Sequence, residues 1–202
     1  MTGIHGLITA ASVAAACLLV GAAPIAVADP AGPSPDPAIL SVEEVGAIAG
    51  STGLTSDPAL DVRTPGGNHQ YDGQYPADCL PVFDQDVAFA NTGPFRSVTY
   101  TGAANRAVTQ AVGIYPSGID AKAALGVLAT SLLACSNQGI DNMSFTVQVL
   151  DPTTMALCFS QCSTIYRVSG PALIGVAAER FGDSDRIATA VMQQVAARAK
   201  AL

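Results

Sequence analysis

Apolar residues recur along this chain with two different periods, and the periods separate helices from strands. The clearest helical period covers residues 120–136, where Ala121, Leu125, Leu128, Leu132 and Cys135 form one stripe. A second covers 183–201, with Ile187, Val191 and Val195 on one face and Arg198 and Lys200 near the end, where cations suit the helix dipole. A third is short. Ser41-Val42-Glu43-Glu44 reads as a capping box, and Val42, Val45, Ile48 and Ala49 share a face up to Gly50. Residues 80–90 predict a further helical turn.

Strand-like runs lie at 97–102 and 107–115, then at 144–150, 153–158, 162–168 and 172–178. The last four are separated by Asp151-Pro152, Phe159-Ser160-Gln161 and Ser169-Gly170-Pro171, links so short that they impose antiparallel pairing. Residues 55–77 are dense in turn formers, including Asp57-Pro58, Pro65-Gly66-Gly67-Asn68 and Asp72-Gly73, and predict a loop. The expected fold is α+β: an antiparallel β-sheet meander with helices packed on one face.

The start of the chain departs from these patterns. Residues 1–28 contain no Asp, Glu, Lys or Arg, and 7–20 are an apolar run. Pro24 and then Ala26-Val27-Ala28 precede Asp29, which predicts a signal peptide cleaved between Ala28 and Asp29. The segment is long enough to span a bilayer if retained, so a membrane location depends on retention. The small residues Ala14-Ala15-Ala16 before Cys17 argue against a lipidation site there. Residues 29–37 form a proline-rich tether, and the folded unit is expected over 38–202.

The chain has 202 residues, of which 50% are hydrophobic and 12% charged, enough apolar content for one domain with a real core. Nine basic residues against sixteen acidic ones give a net charge of -7. That balance argues against nucleic acid and against anionic lipid as partners. Beyond the expected cleavage point stand Cys79, Cys135, Cys158 and Cys162, an even number that in an exported domain implies two disulfides. In one continuous strand, Cys158 and Cys162 would stand about 13 Å apart, too far to bridge. If Phe159-Ser160-Gln161 forms a hairpin loop, they face each other at about 5.5 Å. On that condition Cys158 pairs with Cys162, and Cys79 pairs with Cys135.

The candidate chemistry is sparse. Gly182-Asp183-Ser184-Asp185 has the look of a lipase nucleophile motif, but a serine nucleophile needs a base. The one histidine after the expected cleavage point is His69, distant in sequence. The competing reading makes Asp183 or Ser184 the cap of the last helix, with Asp185 in its first turn. Asp84-Gln85-Asp86, with Asp78 nearby, resembles a short metal-nucleotide motif, set against an ordinary solvated acidic surface. His69 with Tyr71 and Tyr75 is a candidate polar contact cluster for a ligand, set against a plain surface loop. Asn142-Met143-Ser144 matches a glycosylation sequon. The cysteine spacing suits neither zinc nor a redox pair, and no cofactor or metal is expected from it.

Several of these segments together resemble a known family. They are the tether leading into Ile39-Leu40-Ser41-Val42-Glu43-Glu44-Val45, Asp78-Cys79, the run from Ala107 to Ser117, the helix ending Leu133-Ala134-Cys135-Ser136, and the last helix from Ile187 to Ala199. Over roughly residues 38–200 the chain is similar to the extracellular sensor domain of mycobacterial PknH-type serine/threonine kinases and its free-standing secreted or lipoprotein relatives. The resemblance implies an antiparallel sheet with helices, two disulfides, a cleft for an unidentified ligand, and no catalytic residues. It places two family cysteines at Cys79 and Cys135, a third near Cys158 or Cys162, and a fourth near Val176-Ala177-Ala178, where this chain has none. The expected function is therefore a secreted, non-enzymatic, sensor-like domain that binds a small-molecule or cell-envelope ligand between sheet and helices. The alternatives are a secreted hydrolase using Ser184 or an acidic pair, and an envelope module that recognises another protein.

Overall fold

A computed structural model describes residues 33–140 and 143–202. The expected signal segment, its cleavage point between Ala28 and Asp29, and Asn142 of the sequon lie outside these residues. The elements run α1 (Val42–Ala49), β1 (Thr55–Val62), a 3₁₀ segment (Ala77–Val82), α2 (Gln85–Ala88), β2 (Phe95–Gly102), β3 (Arg106–Ile114), α3 (Gly118–Ser136), β4 (Thr146–Asp151), β5 (Thr154–Cys158), β6 (Thr164–Ser169), β7 (Ala172–Glu179) and α4 (Ser184–Ala199). The strands form one seven-stranded sheet in the order β1-β2-β3-β7-β6-β5-β4. Every neighbouring pair is antiparallel. Two meanders meet where β3 pairs with β7, and α3 carries the chain from one to the other.

The antiparallel sheet, the helices and both disulfides match the expectation. The helices, however, cover both faces of the sheet. Strand side chains alternate between faces. Val108, Val112, Ile165, Ile174 and Val176 point to one side and pack with Ile187, Val191 and Val195 of α4. Ala111, Met155, Leu157, Tyr166 and Leu173 point to the other and pack with Leu125, Leu128 and Leu132 of α3. The central strands are therefore apolar on both faces, which a single layer of helices could not cover.

β1 is a second correction, because residues 55–62 read as loop. Thr55 and Ser56 pair with β2 at one end and Asp61 and Val62 at the other, with a register shift between them. The Asp57-Pro58 turn signal sits inside that bulge, where Asp57 Oδ1 accepts a hydrogen bond from the Ala59 N–H at 2.9 Å. Proline is tolerated there because the strand is at the sheet edge and the bulge needs no ladder donor.

Residues just before α1 are packed into the domain, and Asp36–Ala38 form a 3₁₀ turn. Ala38 and Leu40 are fully buried. Gln110, itself buried in β3, grips Leu40: its Oε1 accepts from the Leu40 N–H at 3.0 Å and its Nε2 donates to the Leu40 carbonyl at 3.1 Å. The Tyr100 hydroxyl donates to the same carbonyl at 2.7 Å. The capping box is present, with Ser41 Oγ accepting from the Glu44 N–H at 3.3 Å and Glu44 Oε2 accepting from the Ser41 N–H at 2.9 Å. Arg198 of α4 pairs with the same carboxylate, and its hydrogen bond holds Glu44 below the usual carboxylate range.

The disulfides are Cys79–Cys135 and Cys158–Cys162. The first ties the 3₁₀ segment to the end of α3. The second lies wholly at the β5–β6 link. Leu157 pairs with Thr164, so Cys162 stands in the turn and not on the facing strand. The Cα atoms of that pair are 3.8 Å apart, closer than cross-strand partners would be.

Candidate functional site

α3 begins cleanly because Ser117 Oγ accepts from the N–H groups of Ile119 and Asp120, both at 3.2 Å. Its apolar stripe is the one read from the sequence and faces the sheet. The helix is also apolar beyond that stripe. An 18-residue window has a mean hydropathy of 1.4, and Val127 is 69% exposed. Of that surplus, Val127 stands beside α2. Between the two helices lies a cavity of about 530 Å³, walled by Val87, Ala88, Tyr115, Ala124, Val127 and Leu128, with Asn91, Asp120 and Ser131 as polar members. Its size falls in the range of small-molecule sites, and so does its pattern of apolar walls with few polar groups. Burial pushes the Tyr115 phenol up to about 12, so it stays a neutral donor, here to the Ala90 carbonyl at 3.1 Å.

A smaller cavity of about 200 Å³ lies between the sheet and the 3₁₀–α2 segment, with Asp84, Gln85, Phe89, Thr109, Tyr166 and Glu179 around it. This is where a cleft between sheet and helices was expected, yet the roomier apolar space is between helices. Pro81 and Ala88 line both cavities, so α2 is the partition between them. Phe89 packs beneath α2 with its ring centre 5.2 Å from Phe95 and 6.2 Å from Tyr166. Two glycines admit it: a Cβ on Gly113 would come within 3.0 Å of the ring, and one on Gly175 within 3.1 Å.

Two segments weighed separately in the sequence come together beside α2. His69 Nε2 is 2.8 Å from Asp86 Oδ2, and its Nδ1 is 3.4 Å from Asp72 Oδ2 and 3.9 Å from Asp84 Oδ2. The hydrogen bond and charge of Asp86 hold the imidazole above its ordinary value. Asp84 is not part of a solvated acidic surface, because it is 1% exposed. Its Oδ1 accepts a long bond, 3.4 Å, from the His69 N–H. Tyr71 and Tyr75 do not join His69. They stack with Phe83, at 4.4 and 5.2 Å between ring centres. Asp78 lies in the 3₁₀ segment.

The comparisons with known proteins bear on the whole unit. The family description "PknH-like extracellular domain" matches residues 31–198. The chain belongs to this family. The crystal structure of the extracellular domain of PknH from Mycobacterium tuberculosis superposes with a TM-score of 0.55 at 16% identity, covering 78% of this chain and 92% of that one. At that identity the likeness is one of fold. No curated protein matches the sequence.

This PknH-like domain departs from the resemblance in its second disulfide. Where a fourth cysteine was expected, Val176 and Ala178 of β7 instead pack in the α4-side core, and Cys162 turns back to Cys158. Ser184 is 4% exposed. Its Oγ donates to the Phe181 carbonyl at 3.1 Å and accepts from the Phe181 N–H at 3.2 Å. Its own N–H donates to Gln161 Oε1 at 3.0 Å. The hydroxyl is thus committed to the backbone that leads into α4. Asp183 holds the cap position, makes no side-chain cap bond, and receives Arg186 Nε at 2.6 Å. Ser184→Ala strips the buried Phe181 backbone of two hydrogen bonds and is expected to lower unfolding free energy by about 1–2 kcal/mol in urea titration. A change under about 0.3 kcal/mol would show that this loop is not held by the hydroxyl.

Proposed function

We propose that this PknH-like domain is an extracellular, non-enzymatic, sensor-like module that takes up an apolar small molecule or envelope component between α2 and α3. The observation that carries this reading is the cavity of about 530 Å³ with apolar walls and a polar fringe. Burial of an apolar ligand there supplies affinity, and Asn91, Asp120 and Ser131 give it orientation. The serine form of the hydrolase alternative loses support because the Ser184 hydroxyl is buried and already bonded to Phe181.

The test uses the neutral fluorescent probe N-phenyl-1-naphthylamine. Saturable binding to the full chain is expected at a Kd on the order of micromolar. Ala124→Trp places a bulky ring in the cavity from a half-buried position and should weaken the probe at least tenfold while leaving the melting temperature nearly unchanged. Probe binding that is absent, or equally tight in Ala124→Trp, would remove this cavity as the ligand site.

A further inference from the structure

We propose that His69, Asp84 and Asp86 form a binding site for a divalent cation of the zinc type. The three side chains come from two segments: His69 from the loop after β1, and the aspartates from the start of α2. One donor atom from each lies within 4.8 Å of the others. Two ligands on a cation with bonds of about 2.1 Å stand no more than roughly 4 Å apart. Closing the site therefore takes side-chain shifts on the order of an ångström, and His69 and Asp86 have the exposure to make them, at 44% and 34%.

The buried oxygens decide between this site and a simple ion pair. Asp84 Oδ2 is buried and has no hydrogen-bond partner among the described residues, and the same holds for Asp86 Oδ1. A carboxylate oxygen out of water and without a partner is costly, and native structures keep such groups for a reason. A histidine–aspartate pair satisfies Asp86 Oδ2 alone. The imidazole Nδ1 is 3.9 Å from Asp84 Oδ2, too far for a hydrogen bond. A cation between the imidazole and the two carboxylates would give the orphaned Asp84 oxygen a partner directly. The loop lies close upon that carboxylate: a Cβ on Gly67 would fall 2.5 Å from Asp84 Oδ1.

One imidazole and two carboxylates suit zinc and its neighbours. Calcium asks for six to eight oxygens. Remaining positions are open to water or to Asp72, whose Oδ2 lies 3.4 Å from the imidazole. Cation binding would pin the loop after β1 to the segment that starts α2.

The experiment is calorimetric titration of Zn²⁺ into the full chain, stripped with chelator and carrying no histidine tag, with Ca²⁺ as comparison. One equivalent of Zn²⁺ is expected, with a Kd on the order of micromolar and a raised melting temperature, and at least tenfold weaker Ca²⁺. His69→Gln and Asp86→Asn, both at partly exposed positions, should each weaken Zn²⁺ at least tenfold with the metal-free melting temperature unchanged. Asp84→Asn should do the same if it folds, which its circular dichroism reports. No stoichiometric uptake at 100 µM Zn²⁺ on the order of a hundred times that Kd, or uptake unchanged in both partly exposed variants, would overturn the assignment.

Discussion

Replacing Cys79 and Cys135 together with alanine is expected to lower the unfolding free energy by about 4 kcal/mol. The two cysteines are 56 residues apart in sequence, and the bridge removes that loop's freedom from the unfolded chain. Both are buried, at 0% and 2% exposure, so the loss of packing adds to the effect. The Cys158–Cys162 bridge closes a loop of separation 4, so removing both cysteines should cost only about 2 kcal/mol. Guanidinium titration of the two double variants measures the difference directly. The first bridge also holds the 3₁₀ segment against α3, so its loss should weaken N-phenyl-1-naphthylamine binding, while loss of the second should not. Equal destabilisation by the two would mean that the unfolded chain retains structure across residues 79–135.

Phe89→Ala should be comparably severe, at about 3–5 kcal/mol. The ring is 2% exposed and packs over Gly113 and Gly175 on adjacent strands. Its removal leaves a hole over two residues that have no side chain to fill it. Phe89→Leu should cost about half as much, because it refills part of the volume. α2 is four residues long and cannot hold itself as a helix. It depends on Phe89 and on Gln85, whose Nε2 donates to Ser97 Oγ at 3.0 Å. The truncation should therefore also loosen the wall of the apolar cavity and weaken the probe. A cost below about 1 kcal/mol would mean that α2 collapses into the space.

Much of the fold was legible in local patterns. The stripe Ala121, Leu125, Leu128, Leu132 and Cys135 is the buried face of α3, and Ile187, Val191 and Val195 are buried in α4. The capping box at Ser41 is formed as read. The cavity was less legible. Its signal was present as apolar residues of α3 outside the stripe, Val127 above all, but what would face them depends on where α2 lies. Gln110 carried no readable signal at all, since a polar residue inside a strand gains its meaning from the Leu40 backbone 70 residues away.

Local pattern along the chain was enough for the elements that repeat within a few residues: the helix faces, the six strand positions that became β2 to β7, and the short links that impose antiparallel pairing. Such patterns are local, because a helical or strand period reports which side of a segment meets apolar surroundings. Packing between distant segments was needed to show that helices cover both faces, that the Asp57-Pro58 segment adds an edge strand, and that His69 meets Asp84 and Asp86. Each of these depends on contacts between distant segments, and a turn-rich loop such as 63–76 has no period that reveals where its path will lead.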